Sequence, residues 1–186
     1  MAKRILGVLF LVLGASLFCP QPSFPLPAED VQWVTNDQYF QIAQKLIKEA
    51  KSSIHVMMFE MGFYEEHPNT PSNLLIRDLI EAKKRKVKVE VILDVKGEED
   101  RTSKRNRQSG KILSQGGVEV TYDPLFKTTH AKVIIVDSQT TLLGSTNWTY
   151  NALTTNNEVS VLIRSKEAAK DLIDYFYRVR STCSRK

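Results

Sequence analysis

The chain shows two hydrophobic periods, and each change of period marks a boundary between predicted elements. Apolar side chains at every second position, or in continuous β-branched runs, predict strands, because strand side chains point alternately to opposite faces. Such segments lie at 31–34, 53–60, 87–95, 118–122, 133–136, 141–143 and 159–161. Apolar positions at helical spacing predict helices at 36–51, 71–86, 103–115 and 167–179.

Residues that start and stop helices support these boundaries. Asn36 or Asp37 is a suitable N-cap for the first helix, Pro71 suits a first helical turn, and Gly116 with Gly117 closes the third helix. Strands that alternate with helices predict an α/β fold, a sandwich with helices on both faces of the sheet. The pattern does not distinguish which strand pairs are parallel.

The chain begins with a charged and then strongly apolar segment. Lys3 and Arg4 precede an apolar run over residues 5–18. This arrangement is typical of a secretory signal peptide and is short for a helix that spans a membrane. Cys19 follows two bulky residues instead of the small residues of a lipoprotein site, which disfavours lipidation.

A proline-rich tether over residues 20–27 separates this segment from the rest of the chain. No clean A-x-A cleavage site is present, so an uncleaved membrane anchor is an alternative to a removed leader. We therefore expect a signal peptide or anchor with its tether over residues 1–28 and a folded domain over residues 29–186. The predicted location is periplasmic or secreted, or else attached to a membrane through the N-terminal segment.

Charge narrows the class of partner. The chain has 26 basic and 21 acidic residues and a formal net charge of +5. The basic cluster at 83–86 is interpreted as a solvated helix end. The cluster at 101–111 is interpreted as a contact surface for a phosphate backbone, with Arg105 and Arg107 as candidate binding residues.

The candidate chemistry lies after residue 129. The pattern there is H-x-K-x4-D-x6-G-S-x-N, formed by His130, Lys132, Asp137, Gly144, Ser145 and Asn147. An imidazole, an ammonium, a carboxylate, a hydroxyl and an amide are the groups that a phosphodiester-cleaving site needs. Because strand side chains alternate, His130 and Lys132 are expected on one side, as are Ser145 and Asn147.

Three further side chains flank this motif. Lys127 lies close enough before His130 to line the same cleft. Trp148 and Tyr150 follow Asn147 closely and have rings that could stack on bases. Packing in the core or at a dimer interface explains these two aromatic residues equally well.

The motif resembles the HKD signature of the phospholipase D superfamily, in particular its small bacterial nucleases with a single motif. The order of predicted elements matches that family's α-β-α sandwich with a mixed sheet. The resemblance implies that His130 attacks phosphorus and forms a phosphohistidine, which water then hydrolyses. Lys132 and Asn147 would hold the non-bridging oxygens, and no metal or other cofactor is implied.

The resemblance also implies supporting roles. Glu158, at the start of the next strand, would orient the histidine, and Ser145 is included among the site residues. Asp137 follows the far end of the strand, roughly 23 Å from His130 if the chain is extended. Its expected role is therefore to hold a turn by hydrogen bonds.

A single motif lacks the general acid that a leaving alkoxide needs. In the superfamily a second motif histidine supplies it, but neither His55 nor His67 begins a second H-x-K. His55 lies in an apolar strand and is expected beside the core, although such a position can also line the site. His67 is expected in an exposed loop. We therefore expect a twofold homodimer that brings two His130 side chains to one composite site.

Three functions are compatible with the sequence. The first is a metal-independent, non-specific endonuclease acting on DNA or RNA. The second is a phospholipase D-type hydrolase of phospholipid headgroups, which the short chain disfavours. The third is a non-catalytic nucleic-acid-binding domain, which the intact motif disfavours. The expected partners are nucleic acid and a second copy, and the apolar N-terminal segment allows membrane association.

Overall fold

The computed structural model describes residues 25–184, so the predicted leader and most of the tether lie outside the described residues. Within them the chain forms one seven-stranded sheet and five α-helices. The strands are β1 (Asp30–Thr35), β2 (Ser53–Met58), β3 (Lys88–Leu93), β4 (Glu119–Tyr122), β5 (Lys132–Val136), β6 (Thr140–Gly144) and β7 (Val159–Arg164). The helices are α1 (Gln38–Glu49), α2 (Pro71–Lys84), α3 (Arg101–Gln115), α4 (Tyr150–Thr154) and α5 (Lys166–Arg180).

The sheet is mixed, with the strand order β1-β7-β6-β5-β2-β3-β4. The pairs β2–β3 and β3–β4 are parallel, because a helix carries the chain back across the sheet between each pair. The pairs β2–β5, β5–β6, β6–β7 and β1–β7 are antiparallel. A tight turn joins β5 to β6, as an antiparallel pair allows.

Helices cover both faces of the sheet, as the sequence pattern predicts. Helices α1, α2 and α3 pack on one face, over the larger hydrophobic core. Helix α5 packs on the other face over β2, β5 and β6, where Phe176 and Ala169 meet Met57, Ile92 and Ile135. The α-β-α sandwich is confirmed. Among the described residues, no helix is long and apolar enough to cross a membrane.

Two details of the predicted helices differ from the structure. Asp37 occupies the N-cap position of α1 but its side chain makes no capping hydrogen bond. Asn36 has a left-handed backbone (φ 49°), and its side-chain oxygen accepts from the Glu158 backbone N–H at 3.0 Å. Helix α3 begins before residue 103, because the Asp100 side chain caps it by accepting from the Ser103 backbone N–H at 2.7 Å.

Part of the sheet carries exposed apolar side chains. On β1, Val34 is buried, whereas Val31 and Trp33 point to the opposite face and Trp33 is 72% exposed. Val159, which pairs with the last residue of β1, is exposed too. We call Val31, Trp33 and Val159 the β1–β7 patch. Because Val159 directly follows Glu158, one end of the patch lies next to the motif residues.

Candidate active site

His130 and Lys132 meet at the start of β5, around the ring of Phe59. The antiparallel pairing of β2 with β5 brings Phe59 there, and its backbone N–H donates to the Ala131 carbonyl at 2.9 Å. The Lys132 ammonium lies 4.6 Å from the centre of the Phe59 ring, and the ring centres of His130 and Phe59 are 4.4 Å apart. Lys132 is buried, while His130 is exposed and free to meet a substrate.

The charges around this pair favour a neutral imidazole. Partial desolvation, followed by the positive charges of Lys132 and Lys96, lowers the pKa of His130 below its ordinary 6.5. Burial lowers the pKa of Lys132 as well, while the carboxylates of Glu158, Asp94 and Glu60 oppose that shift. The Lys132 ammonium also donates to the His130 carbonyl at 3.0 Å, which fixes both residues relative to each other.

Glu158 and Ser145 form a second group beside the first. The Ser145 hydroxyl donates to the Glu158 carboxylate and accepts from the Val159 backbone N–H at 3.1 Å. Asn156 donates to the other Glu158 oxygen at 3.1 Å. Within the described chain the hydrogen bonds of the Glu158 carboxylate go to these side chains, and none joins it to His130. The carboxylate acts on Lys132 through its charge, and the orientation of His130 by Glu158 stays a prediction.

Gly144 allows this group to form, because β6 and β7 approach closely there. A Cβ added at Gly144 would lie 2.4 Å from the Cα of Ser160 and 2.5 Å from the carbonyl oxygen of Val159. Such contacts are far inside van der Waals distance, so a larger residue would push the two strands apart. The motif glycine thus sets the distance between Ser145 and Glu158.

Asn147 faces a groove of about 1110 Å³ that begins beside the motif. Its side-chain oxygen is buried and has no hydrogen-bond partner within the described structure. The groove is lined mainly by polar and charged side chains of both signs, among them Glu60, Glu66, His67, Asn69, Arg101, Arg105, Tyr150, Asn151 and Asn156. The N–H donors of this amide, which lines a polar groove, are suited to holding a phosphate oxygen.

The two aromatic residues that follow Asn147 have different positions. Trp148 is fully buried, and its ring N–H donates to the Tyr39 hydroxyl at 3.2 Å. Trp148 therefore belongs to the core, so it cannot stack on bases. Tyr150 is 46% exposed and lines the groove, where its ring remains available.

The basic candidates are not brought together. Arg105 lines the groove and forms an ion pair with Glu60 at 2.5 Å. Arg107 lies on another side of α3, over the Tyr122 ring, in a separate cavity of about 520 Å³ that it shares with Lys111. Lys127 is exposed in the loop that leads from β4 to His130.

Asp137 lies at the opposite end of β5, as expected from its distance along the strand. Its carboxylate accepts from the backbone N–H groups of Lys51, Ser52 and Ser53 and from the Ser52 hydroxyl. Burial acts to raise the pKa of Asp137, but these hydrogen bonds outweigh it and hold the pKa below its ordinary value. The residue joins the β5–β6 turn to the start of β2.

The two other histidines lie in different environments. His55 is buried beneath α5, where its Nε2 atom lies 3.2 Å from the Tyr177 hydroxyl and 3.3 Å from the Glu90 carboxylate. Glu90 also binds Lys88 and Arg180, so this network ties α5 to the sheet. His55 therefore does not line the site. His67 is exposed, as predicted, and lies on the groove.

Sequence reasoning missed four residues near the motif. Phe59 contacts both His130 and Lys132, and Lys96 lies over the Phe59 ring and acts on His130 through its charge. Asp94 and Asp123 lie beneath the residue that precedes His130. Asp94 and Asp123 directly follow the parallel strands β3 and β4. That placement is the signal that points to them, because the carboxyl ends of parallel strands share one edge of a sheet. Within residues 25–184, no three His, Cys, Asp or Glu side chains are placed to hold a metal ion.

Comparison with known proteins gives consistent matches. The family model described as "Cardiolipin synthase, PLD-like domain" matches residues 44–180. Phospholipase D of Rickettsia prowazekii is 28% identical over 136 residues, which are 73% of this chain and 60% of that protein. Mitochondrial cardiolipin hydrolase of Canis lupus familiaris is 30% identical over 95 residues, 51% of this chain and 35% of that protein. The chain thus spans less than two thirds of the length of these relatives.

Solved structures show the same fold. Nuc from Salmonella typhimurium, a phospholipase D family member, has a TM-score of 0.70 and 26% identity, covering 83% of this chain and 96% of that one. NucT from Helicobacter pylori has a TM-score of 0.64 over 84% of this chain and 99% of that one. At 17% identity, this second likeness concerns the fold alone.

Proposed function

This chain belongs to the phospholipase D superfamily, and on that premise we propose that it is a metal-independent phosphodiesterase that cleaves nucleic acid. An imidazole nitrogen of His130 attacks phosphorus, and the bond to the leaving oxygen breaks as the nitrogen–phosphorus bond forms. Water then attacks the phosphohistidine and returns His130 to its starting state. The lowered pKa of His130 supports this role, because the neutral ring carries the lone pair.

Lys132 and Asn147 are the proposed binders of the non-bridging oxygens. Lys132 supplies a positive charge from a buried position, where its interaction with a growing negative charge is little screened. The Asn147 amide group, on the wall of the groove, supplies a hydrogen-bond donor without charge. We propose that Glu158 keeps Lys132 protonated through its charge.

The leaving oxygen must receive a proton, and we propose that a second copy of the chain supplies it. A twofold dimer with one composite site would place one His130 as nucleophile and the other as general acid. His55 is excluded from this role by its position under α5. The exposed β1–β7 patch next to Glu158 offers an apolar surface for the partner copy.

The polar groove beside Asn147 is the observation that favours nucleic acid as the substrate. Arg101 and Arg105 can meet backbone phosphates, and side-chain amides can meet base edges. Tyr150 presents a ring on which a base can stack. A lipid headgroup site would instead continue into an apolar channel for acyl chains, and the lining of this groove is not apolar.

The test is a substrate panel assayed in EDTA with the purified domain and with His130→Ala as the blank. We expect turnover of single-stranded DNA, duplex DNA or RNA that exceeds turnover of phosphatidylcholine and cardiolipin vesicles. Preference for the vesicles would overturn the nuclease assignment. Binding of nucleic acid without turnover of any substrate would instead favour a non-catalytic binding domain.

Arg105 allows a sharper version of this test, with Arg107 as its matched control. Arg105→Glu should weaken nucleic-acid binding and reduce the salt slope by about one counterion. Arg107→Glu should change neither, because Arg107 lies outside the groove. Both variants should hydrolyse bis-p-nitrophenyl phosphate nearly as the wild type does. Equal losses in the two variants would show that general charge, and not the groove, attracts the substrate.

Phospholipid is the second candidate substrate, and one observation favours it. The loop before His130 exposes Leu125 and Phe126, the latter 87% exposed, beside the basic Lys127. Such a loop is suited to insertion into the surface of an anionic bilayer. If Phe126→Ser lowers hydrolysis of cardiolipin vesicles while it leaves DNA cleavage unchanged, the lipid reaction uses this loop.

Export or anchoring through residues 1–28 stays a prediction.

A further inference from the structure

Two carboxyl groups lie beneath the backbone of Thr129, the residue that precedes His130. Asp94 follows β3 and Asp123 follows β4, and the adjacent parallel strands bring both to one point. Both side chains are buried. The Thr129 backbone N–H donates to one oxygen of Asp94 at 2.8 Å and to one oxygen of Asp123 at 2.7 Å. One donor thus holds two carboxyl groups side by side.

The hydrogen bonds of the pair distinguish its two members. Both oxygens of Asp123 accept from backbone N–H groups, those of Val95 at 2.7 Å and Thr129. Asp94 has one oxygen bound to Thr129, whereas its other oxygen is buried without a donor. Two buried carboxylates this close repel each other, and one of them takes up a proton. The carboxyl group with the unpartnered oxygen is the one that can hold it.

We propose that Asp94 and Asp123 share one proton and act as a positioning pair, which holds Thr129 and thereby fixes His130 for attack on phosphorus. This inference rests on the proposed function of His130. The pair is anchored to rigid structure, since Asn106 donates to the Asp94 carbonyl at 2.8 Å. The backbone N–H of Asp123 donates to the last residue of β3 at 3.1 Å. Neither carboxyl group touches the substrate.

Two charged groups and one titratable thiol face the pair. Lys96 lies in the loop after β3 and Lys132 lies on β5, and both interact electrostatically with Asp94. Cys183, beyond the end of α5, lies near Asp123. Both lysines also act on the nucleophile, so a second negative charge on the pair would change the electrostatics of the whole site.

The proton makes the pair sensitive to pH. Burial, and next the neighbouring Asp123, raise the pKa of Asp94 to about 7. Above that pH both groups ionise, and the Thr129 N–H must serve two anions that repel each other. We therefore expect the segment before His130 to loosen as pH rises. Because the folded state binds this proton more tightly than the unfolded state, stability from this group also decreases as pH rises towards 7.

The test is Asp94→Asn, in which an amide N–H takes the place of the shared proton. With bis-p-nitrophenyl phosphate as substrate, kcat near pH 6 should stay within about twofold of wild type. The decline of kcat above about pH 7 should move to higher pH by about one unit or more. The control is Glu98→Gln, which removes an exposed carboxylate from the same loop and should leave the pH profile unchanged.

A second variant separates positioning from mere structure. Asp123→Asn cannot accept from both Val95 and Thr129, so kcat should fall about tenfold at every pH. A wild-type alkaline limb in Asp94→Asn would overturn the proposal, and so would a folded Asp94→Asn that is inactive at every pH. Any decline of kcat at high pH that remains in Asp94→Asn is attributed to the general acid.

One measurement needs neither a variant nor activity. Carbon NMR of the full chain labelled at aspartate carboxyl carbons should show one aspartate that titrates near pH 7. If every aspartate titrates below about pH 5, the shared proton does not exist and the proposal fails. A protein that shows this titration but cleaves no phosphodiester would contradict the proposed function alone.

Discussion

At the scale of single residues, the site keeps an imidazole neutral by placing it beside two lysines. Phe59 makes this arrangement compact, because its ring lies against both His130 and Lys132 and excludes water from one side of each. The ring also lies within 5.9 Å of Lys96. The result is an imidazole of lowered basicity that keeps its lone pair at neutral pH, as the proposed nucleophile must.

The first prediction is the loss of chemistry without the loss of the fold. His130→Ala should reduce turnover by roughly 10⁴-fold, because no other described group forms the covalent intermediate. The free energy of unfolding should change by less than about 1 kcal/mol, since the side chain is exposed. Lys132→Ala and Asn147→Ala should lose roughly 100-fold in kcat. Urea unfolding checks the prediction for stability, and initial rates on one substrate check the prediction for turnover. A fully active His130→Ala would contradict the proposed role of His130.

The second prediction concerns the acid side of the pH profile. Lys96→Ala removes one of the two cations that lower the pKa of His130, so that pKa should rise. Because the proposed nucleophile is the neutral ring, the acid limb of kcat/KM should move to higher pH. Lys104→Ala, which removes a lysine paired with Glu99, is the control and should leave the limb in place. An acid limb that moves to lower pH would show that a different group controls it.

At the scale of secondary-structure elements, the hydrophobic periods predict most of the fold. Each predicted strand and helix is present, because long periodic segments dominate local structure. Helix α4 was not predicted, since five residues give too short a window to show a period. Which strand pairs are parallel depends on the path of the chain through space, and the hydrophobic pattern does not determine that path.

The candidate site, like the fold, could be predicted only in part from the sequence. Residues within the contiguous motif were found, because their spacing along the chain is itself the signal. Phe59, Asp94 and Asp123 were missed, because only the packing of separate strands brings them to His130. Trp148 stayed ambiguous for a related reason, since a large ring beside a motif suits either a core or a surface.

The third prediction tests the close approach of β6 and β7. Gly144→Ala should lower the free energy of unfolding by about 1–3 kcal/mol, because its methyl group overlaps the β7 backbone. It should also lower kcat, since Ser145 and Glu158 move apart. Gly97→Ala is the control, because an added Cβ there meets nothing within 4 Å. Equal stability and activity in both alanine variants would show that the strands adjust without cost.

At the scale of the whole molecule, the number of histidines leads us to propose a dimer. The proposed reaction needs two histidines at one phosphorus, and the described chain places only His130 at the motif. When His130→Ala is refolded with wild type in increasing proportion, activity should fall as the square of the wild-type fraction. A linear fall would mean that each copy acts alone. His67, on the groove, would then be the first candidate for the acid.

The fourth prediction locates the partner surface. Trp33→Glu puts a charge into the β1–β7 patch, so we expect sedimentation to show monomers and activity to fall with dissociation. Tyr175→Glu is the control, because Tyr175 is an exposed aromatic residue on α5 and is not part of the patch. If Trp33→Glu remains a fully active dimer, the two copies meet through another face.

The contrast between the two tryptophans gives the protein a natural optical reporter. Trp148 is fully buried and hydrogen-bonded to Tyr39, so its emission should be blue-shifted and protected from acrylamide. Trp33 is 72% exposed, so an uncovered patch should give a red-shifted component that acrylamide quenches readily. Because the chain contains no other tryptophan, the quenchable fraction of its fluorescence reports on one surface. Dilution of the unlabelled protein in a cuvette therefore shows whether that surface is open or covered.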